Sequence, residues 1–234
     1  MTQQIAVPTT DGEMPARLWS PKSGSGPGIL LLQEIFGVSA YIQRRAASLA
    51  EEGYVVLAPF LYWRLDRQTF DDVSAPDVVE QAMALAGQMD AEQAVADAVA
   101  AFEVLAARDE VTGTPANLGF CMGGGLGFAT AARTEPAALV SYYGTALPQL
   151  LDLAPQVTCP SLHHFGTADD YLSMDEVRAI TKAVTADGRP AQVELYDGAN
   201  HAFDNDDFSL YHPEASRRAW ATTLDFLRNH TSLA

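Results

Sequence analysis

Hydrophobic and polar positions follow two different periods along this chain. Short continuous apolar runs, such as GILLL at 28–32 and VVLAP at 55–59, are typical of strands that are buried on both faces of a parallel sheet. Longer segments between them carry apolar residues at helical spacing. The pattern predicts strands within residues 16–20, 28–34, 54–59, 116–120, 138–144, 159–166 and 191–198. It predicts helices within residues 40–53, 77–108 (two helices), 124–133, 174–188 and 215–230.

This alternation of strands and helices predicts an α/β fold. We expect one domain over residues 1–234, with a mostly parallel sheet and helices on both faces. In such sheets, ligands and reacting groups lie beyond the carboxyl ends of the strands. The positions to inspect for chemistry are therefore those that directly follow each predicted strand.

One of these positions is a cysteine inside a glycine-rich turn. Residues 119–123 read G-F-C-M-G, which has the spacing of the nucleophile elbow G-x-S-x-G with sulfur in place of oxygen. A sharp strand-to-helix turn needs glycine on both sides of the nucleophile, and the start of the helix favours a thiolate. No G-K-[ST] follows, so the turn is not a phosphate-binding loop. Cys121 is the candidate nucleophile.

The partners that such a nucleophile needs follow in the expected order. In this architecture the acid precedes the histidine along the chain. Asp169 and Asp170 come just after one predicted strand, and His201 follows the next strand. His201 is suited to take the thiol proton, and either aspartate is suited to orient the imidazole. The residues themselves leave the choice between Asp169 and Asp170 open.

The other histidines and the second cysteine point to structural positions. His163 and His164 lie within a predicted strand, where we expect internal packing or hydrogen bonding, and His212 and His230 are expected at the surface. Cys159 begins a strand and is expected to be a small buried side chain. No spacing among these residues matches a metal site, so we predict neither a metal nor a cofactor.

Composition narrows the class of protein further. The chain carries 14 Lys and Arg against 30 Asp and Glu, a net charge of −16, which argues against nucleic acid as a partner. No apolar run approaches the length of a membrane span, and the first residues lack the pattern of a signal peptide. We therefore expect a cytoplasmic protein without a membrane partner, with reduced cysteines, and monomeric or weakly dimeric.

Several motifs together resemble the dienelactone hydrolases, which are cysteine hydrolases of the α/β-hydrolase fold. The matching segments cover nearly the whole chain: LLQEIFGV (31–38), GYVVLAPFLYWR (53–64), GFCMGGG (119–125), SYYG (141–144), HHFGTADD (163–170) and YDGANHAF (196–203). The resemblance implies a carboxylic ester or lactone hydrolase that forms a thioester acyl-enzyme. It implies a small-molecule ester or lactone as the substrate.

The resemblance also implies roles for individual residues. Cys121 matches the nucleophile, His201 the base and Asp169, rather than Asp170, the acid. Glu34 matches a carboxylate near the thiol that helps to form the thiolate. The backbone N–H groups of Met122 and Ile35 match the oxyanion hole, and Tyr142 matches a tyrosine near the substrate.

The chain also departs from the family pattern. The family members that act on dienelactone bind its carboxylate with arginines, but here Asn205 occupies one such place and residues 68–107 contain no Arg or Lys. With the net charge of −16, this predicts a neutral substrate. We expect aromatic residues and the one cation near a strand end to line the pocket: Phe36, Tyr62, Trp63, Tyr142 and Arg64.

Two other functions are compatible with the sequence. The same fold is able to serve as a non-catalytic protein that binds a small molecule or a partner, because a fold does not determine a function. A thioesterase is the other alternative, because the shape of the pocket and not the triad selects the acyl and leaving groups.

Overall fold

The computed structural model of the protein describes residues 1–66, 68–70 and 72–232. Its eight strands form one sheet in the order β1-β2-β4-β3-β5-β6-β7-β8. The strands from β4 across to β8 run parallel to one another, and the β1–β2 and β2–β4 pairs are antiparallel. Their bounds are β1 Thr2–Pro8, β2 Glu13–Trp19, β3 Gly28–Leu32, β4 Val55–Pro59, β5 Ala116–Phe120, β6 Leu139–Tyr142, β7 Ser161–Gly166 and β8 Ala191–Tyr196.

The described residues form six α-helices. They are α1 Ala40–Glu51, α2 Val78–Ala86, α3 Ala91–Ala106, α4 Met122–Thr134, α5 Met174–Val184 and α6 Pro213–His230. Five of them cover the two faces of this sheet, while α2 packs in a separate cluster with Phe36 and Tyr62. Helices α1 and α6 pack their apolar residues into the core on one face. Helices α3, α4 and α5 cover the other face, in two further apolar clusters. None of the helices in the described part of the chain is long and apolar enough to cross a bilayer.

The predicted fold class is confirmed, because the central strands are buried on both faces as their apolar runs required. Every residue of β3, β4, β5, β6 and β7 is buried. The pattern did not predict β1, whose residues are mostly exposed and which is held at the edge by pairing with β2. Its strand character therefore depends on a neighbour and not on its own periodicity.

The order of the strands determines where a site forms. The chain adds β4 on one side of β3 and then returns to add β5 on the other side, so the winding direction reverses between β3 and β5. At such a switch point the following loops separate and leave a crevice at the carboxyl ends of the strands. Glu34 follows β3 and Cys121 follows β5, so both residues lie at this crevice.

Candidate active site

The turn that carries Cys121 has a strained backbone. Cys121 has φ 53° and ψ −116°, a positive φ that L-residues seldom adopt. A Cβ atom on Gly119 would lie 2.0 Å from the carbonyl oxygen of Gly123, and one on Gly123 would lie 2.3 Å from that of Leu32. Only glycine fits at both positions, which explains the spacing of the motif. The turn holds the sulfur at the N-terminus of α4, with Cys121 only 7% exposed.

Three predicted residues from separate loops come together at this sulfur. Nε2 of His201 lies 3.1 Å from Sγ of Cys121, and Nδ1 of His201 lies 2.9 Å from Oδ2 of Asp169. The side chains of His201 and Asp169 are 7% and 0% exposed. The imidazole therefore bridges a thiol and a carboxylate, away from bulk water.

The surroundings of His201 favour its protonated form. Burial acts to lower the pKa of the imidazole, but the Cys121 sulfur and the Asp169 carboxylate act more strongly in the other direction and raise it to about 10. The physical cause is that an imidazolium between a thiolate and a carboxylate is stabilised by both negative charges. Proton transfer from Cys121 to His201 is thus electrostatically supported.

The neighbouring carboxylate, Asp170, makes a different contact. Its Oδ2 accepts a hydrogen bond from Nδ2 of Asn200 at 2.7 Å, and Oδ1 of Asn200 accepts the backbone N–H of His201 at 2.6 Å. Asp169 in turn accepts the backbone N–H groups of Tyr171 and Leu172 through Oδ1, at 2.8 and 3.0 Å. The geometry thus pairs Asp169 with the imidazole and ties Asp170 to the backbone of the histidine loop through Asn200.

Glu34 lies at the same crevice but does not hydrogen-bond to the sulfur. The residue is 1% exposed, and its Oε1 accepts a hydrogen bond from Nδ2 of Asn205 at 2.7 Å. Burial raises the pKa of Glu34 to about 8, opposed mainly by the charge of His201. The structure thus places Glu34 at the site, with its hydrogen bond directed to Asn205 and not to the thiol.

A cavity of about 160 Å³ opens beside Cys121. Its lining includes residues that follow β3 and β5, part of α2 and the loop that follows β8. The residues are Glu34, Ile35, Phe36, Val79, Met83, Cys121, Thr145, Tyr171, His201, Ala202 and Phe208. The lining is largely apolar, and none of these residues is an arginine or a lysine.

Among the aromatic residues and the cation expected to line the pocket, Phe36 does so and the other four, Tyr62, Trp63, Arg64 and Tyr142, do not. Tyr142 is fully buried, and its hydroxyl shares a 2.7 Å hydrogen bond with Thr223 of α6. Trp63 donates from Nε1 to Asp97 at 2.9 Å, and Arg64 pairs with Asp97 and Asp11. The turn after β4 directs these two side chains toward α3, so the expectation that they line the pocket is corrected.

The two predicted oxyanion-hole residues are placed at the site. Met122 is the first residue of α4, where backbone N–H groups have no acceptor four residues earlier. Ile35 lines the cavity, and its carbonyl accepts a 2.8 Å hydrogen bond from the hydroxyl of Tyr62. Tyr62 therefore holds the backbone beside the site without being part of the lining.

The remaining histidines and the second cysteine have structural surroundings. His164 is buried between the hydroxyls of Tyr196 and Thr223, at 2.8 and 2.9 Å. His212 caps α6 and His230 bonds to the carbonyl of Phe226, both in half-buried positions. Burial raises the pKa of the Cys159 thiol to about 11. Within residues 1–66, 68–70 and 72–232, no three His, Cys, Asp or Glu side chains are grouped to hold a metal ion.

Some residues of the site were not singled out from the sequence. Tyr171 packs edge-on against His201, with ring centroids 4.9 Å apart, and Tyr143 does the same from the opposite loop at 4.9 Å. Tyr171 directly follows the two candidate acids, which was an available signal. No sequence signal showed that Tyr143, rather than Tyr142, faces His201. Tyr143 follows β6 with a positive φ of 38°, and this backbone conformation sets the direction of its side chain.

Comparison with known proteins agrees with this geometry. The sequence model of the dienelactone hydrolase family matches residues 14–231. The chain is 36% identical to a carboxymethylenebutenolidase of Pseudomonas sp. (strain P51), over 93% of this chain and 90% of the relative. It is 32% identical to carboxymethylenebutenolidase 1 of Cupriavidus pinatubonensis, over 92% of both chains.

A solved structure shows the same likeness. The crystal structure of a candidate dienelactone hydrolase from Klebsiella pneumoniae superposes with a TM-score of 0.84 at 27% identity, over 97% of this chain and 98% of the other. Sequence and fold thus agree over nearly the whole length. The chain belongs to the dienelactone hydrolase family, has the α/β-hydrolase fold, and is a carboxylic ester or lactone hydrolase that acts on a small-molecule substrate.

Proposed function

We propose that this enzyme hydrolyses neutral esters or lactones through a Cys121–His201–Asp169 triad and a thioester intermediate. The observation that carries the proposal is the position of the His201 imidazole, 3.1 Å from the Cys121 sulfur and 2.9 Å from the Asp169 carboxylate. A nucleophile, a base and an orienting group within hydrogen-bond reach are what acyl transfer requires.

In the first half of the reaction, His201 takes the proton from the Cys121 thiol, and the thiolate attacks the carbonyl carbon of the ester. The backbone N–H groups of Met122 and Ile35 are suited to stabilise the negative charge that develops on the carbonyl oxygen. The tetrahedral intermediate then expels the alkoxide, which receives the proton from Nε2 of His201. An acyl group remains on the sulfur as a thioester.

In the second half, His201 accepts a proton from water, and the resulting hydroxide attacks the thioester carbonyl. The carbon–sulfur bond breaks and the acid leaves. The departing thiolate then takes the proton from Nε2 of His201, which restores the Cys121 thiol and the neutral imidazole. Asp169 keeps Nδ1 of His201 protonated throughout, so that Nε2 is the nitrogen that exchanges protons.

The preference for a neutral substrate rests on the cavity. The relatives named carboxymethylenebutenolidase have names that describe a carboxylated lactone. Among the described residues that line the cavity, the ionisable ones are Glu34, Cys121, Tyr171 and His201, and none of these is an arginine or a lysine. The ring nitrogens of His201 are already engaged by the Cys121 sulfur and by Asp169. A substrate carboxylate would therefore be desolvated in the cavity without a free cation among the described lining residues to pair with it.

Two measurements test this function. Cys121→Ala should abolish hydrolysis of p-nitrophenyl acetate, and mass spectrometry of quenched wild-type enzyme should find the acyl group on Cys121. A matched pair of lactones, identical except for one carboxylate, tests the substrate class, and the neutral one should have the higher kcat/KM. Full activity in Cys121→Ala would end the thioester mechanism. A higher kcat/KM for the carboxylated lactone would overturn the assignment of a neutral substrate.

A further inference from the structure

The carboxyl of Glu34 is held in one orientation by a fixed amide. Oδ1 of Asn205 accepts the backbone N–H of Asp207 at 3.0 Å. Nδ2 of Asn205 must then face Glu34, and it donates to Oε1 at 2.7 Å. Asn205 is itself fully buried, so this orientation has no competition from solvent.

The hydrogen bond decides which oxygen of Glu34 carries a proton. Because Oε1 already accepts from Asn205, the proton of the neutral acid belongs on Oε2. Oε2 makes no hydrogen bond with another residue of the described chain, and Glu34 lines the catalytic cavity together with Cys121 and His201. An acidic hydroxyl is thus available to a molecule bound in that cavity.

We propose that Glu34 acts as a neutral carboxylic acid whose Oε2–H donates a hydrogen bond to an oxygen of the bound ester, and that Asn205 is the positioning residue that fixes this orientation. The inference rests on the proposed function, because it concerns the same cavity. It gives Glu34 the opposite charge state from that of a base for the thiol. The base is His201, which has the contact to the sulfur.

The surroundings of Glu34 agree with a neutral acid. Burial raises its pKa to about 8, and the nearby Asp204 and Asp207 act in the same direction, whereas His201 and the bond from Asn205 oppose them. The ionisable groups that influence Glu34, or are influenced by it, lie on four segments around it: His201, Asp204, Asp207, Tyr41, Tyr62 and Tyr143. Cys121 lines the same cavity from a fifth segment. Asp204 is itself paired with Arg45 of α1.

The direction of the pH dependence separates the two roles. A raised pKa means that Glu34 is neutral below about pH 8 and ionised above it. An acid that must keep its proton makes kcat/KM fall ~10-fold per pH unit above that pKa, whereas a base makes kcat/KM rise toward it. The assay uses a neutral ester between pH 6 and 10, with the product measured by chromatography so that detection does not depend on pH.

Substitutions identify the group that titrates. Glu34→Gln keeps an acceptor for Asn205 and an N–H donor at the other position, so it should retain kcat/KM within ~10-fold at pH 7 and lose the fall near pH 8. Glu34→Ala, which has no donor, should lose ~10- to 100-fold. A wild-type profile that is flat or rises through pH 8, or a Glu34→Gln variant as inactive as Glu34→Ala, would overturn the proposal.

The role of Asn205 is tested in the same profile. Asn205→Asp keeps an acceptor for the Asp207 N–H but places a carboxylate against Glu34, so the alkaline fall should move to higher pH. If Asn205 had only a structural role, the substitution would lower activity without shifting the pH at which kcat/KM falls. That result would refute positioning by Asn205. Cys121→Ala, measured alongside, distinguishes a failure of the proposed triad mechanism from a failure of the inference about Glu34. If Cys121→Ala is inactive but the wild-type profile shows no fall above pH 8, only the inference about Glu34 fails.

Discussion

Two adjacent arginines on α1 provide a matched test of how the histidine loop is held. The guanidinium of Arg45 donates to both carboxylate oxygens of Asp204, at 2.8 and 2.7 Å. Asp204 also accepts hydrogen bonds from the hydroxyls of Tyr41 at 2.5 Å and Ser216 at 2.8 Å. The Asp204 side chain is 0% exposed. Arg44 contacts the same loop at Asp206 and Asp207, but that pair is about half-exposed.

The difference in burial sets the expected magnitudes. Arg45→Met leaves the Asp204 carboxylate buried without its cation, which costs about 3–5 kcal/mol in the free energy of unfolding. It also removes the packing of the guanidinium over the Trp220 ring, 4.3 Å from its centroid. Arg44→Met removes only a solvent-screened pair, which contributes about 0–1 kcal/mol. For a chain of this length the buried variant should melt ~10 °C lower.

Urea unfolding followed by circular dichroism measures both variants under the same conditions. The double variant Arg45→Met with Asp204→Asn should recover part of the loss, because the unpaired charge is then gone. If Arg45→Met and Arg44→Met differ by less than about 1 kcal/mol, the argument from burial is refuted. The iodoacetamide reaction of Cys121 reports whether His201 moves with the loop, and it should slow in Arg45→Met only.

Three further predictions concern the elbow and the buried ionisable groups. Gly123→Ala should strongly destabilise the fold, because its Cβ would lie 2.3 Å from a main-chain oxygen of β3, whereas Gly87→Ala, at 3.3 Å, should unfold at nearly the wild-type urea concentration. Burial lowers the pKa values of His163 and His164 to about 4 and about 3. Because both imidazoles are more easily protonated in the unfolded chain, the free energy of unfolding should fall by up to ~2.7 kcal/mol per pH unit as the pH drops below 6.5. An unchanged urea midpoint between pH 7 and 5 would contradict this. Glu34 ionises at about 8 in the folded enzyme and near 4.5 when unfolded, so the stability of Glu34→Gln relative to wild type should rise with pH up to about 8, and a constant difference would refute it.

The sequence predicted the parts of the fold that depend on local pattern. The continuous apolar runs gave the buried strands, and the glycine spacing gave the elbow, because each of these is imposed by burial or by backbone sterics within a few residues. The edge strand β1 carried no such signal, since five of its seven residues are exposed and its conformation depends on pairing with β2.

The residues around the substrate were harder to predict because they depend on side-chain direction. Tyr142 and Tyr143 are neighbours in the sequence, but the first faces Thr223 in the core and the second faces His201. Trp63 and Arg64 follow a strand at the correct edge of the sheet, and both turn to Asp97 on α3. Position after a strand therefore predicted the neighbourhood of the site but not its lining.

The loop after β8 links stability to chemistry in a way that no single motif reveals. Within a few residues it sends His201 to the elbow, Asp204 to α1 and Asn205 to the end of β3. Each of these polar side chains is buried, so each contact is costly to lose. Because the ion pair with α1 lies only three residues from the imidazole, a change that loosens this anchor should also displace the base from the sulfur. Stability and catalysis in this enzyme are thus expected to decline together when this buried anchor is perturbed, whereas removal of the exposed pairs of Arg44 should leave both nearly unchanged.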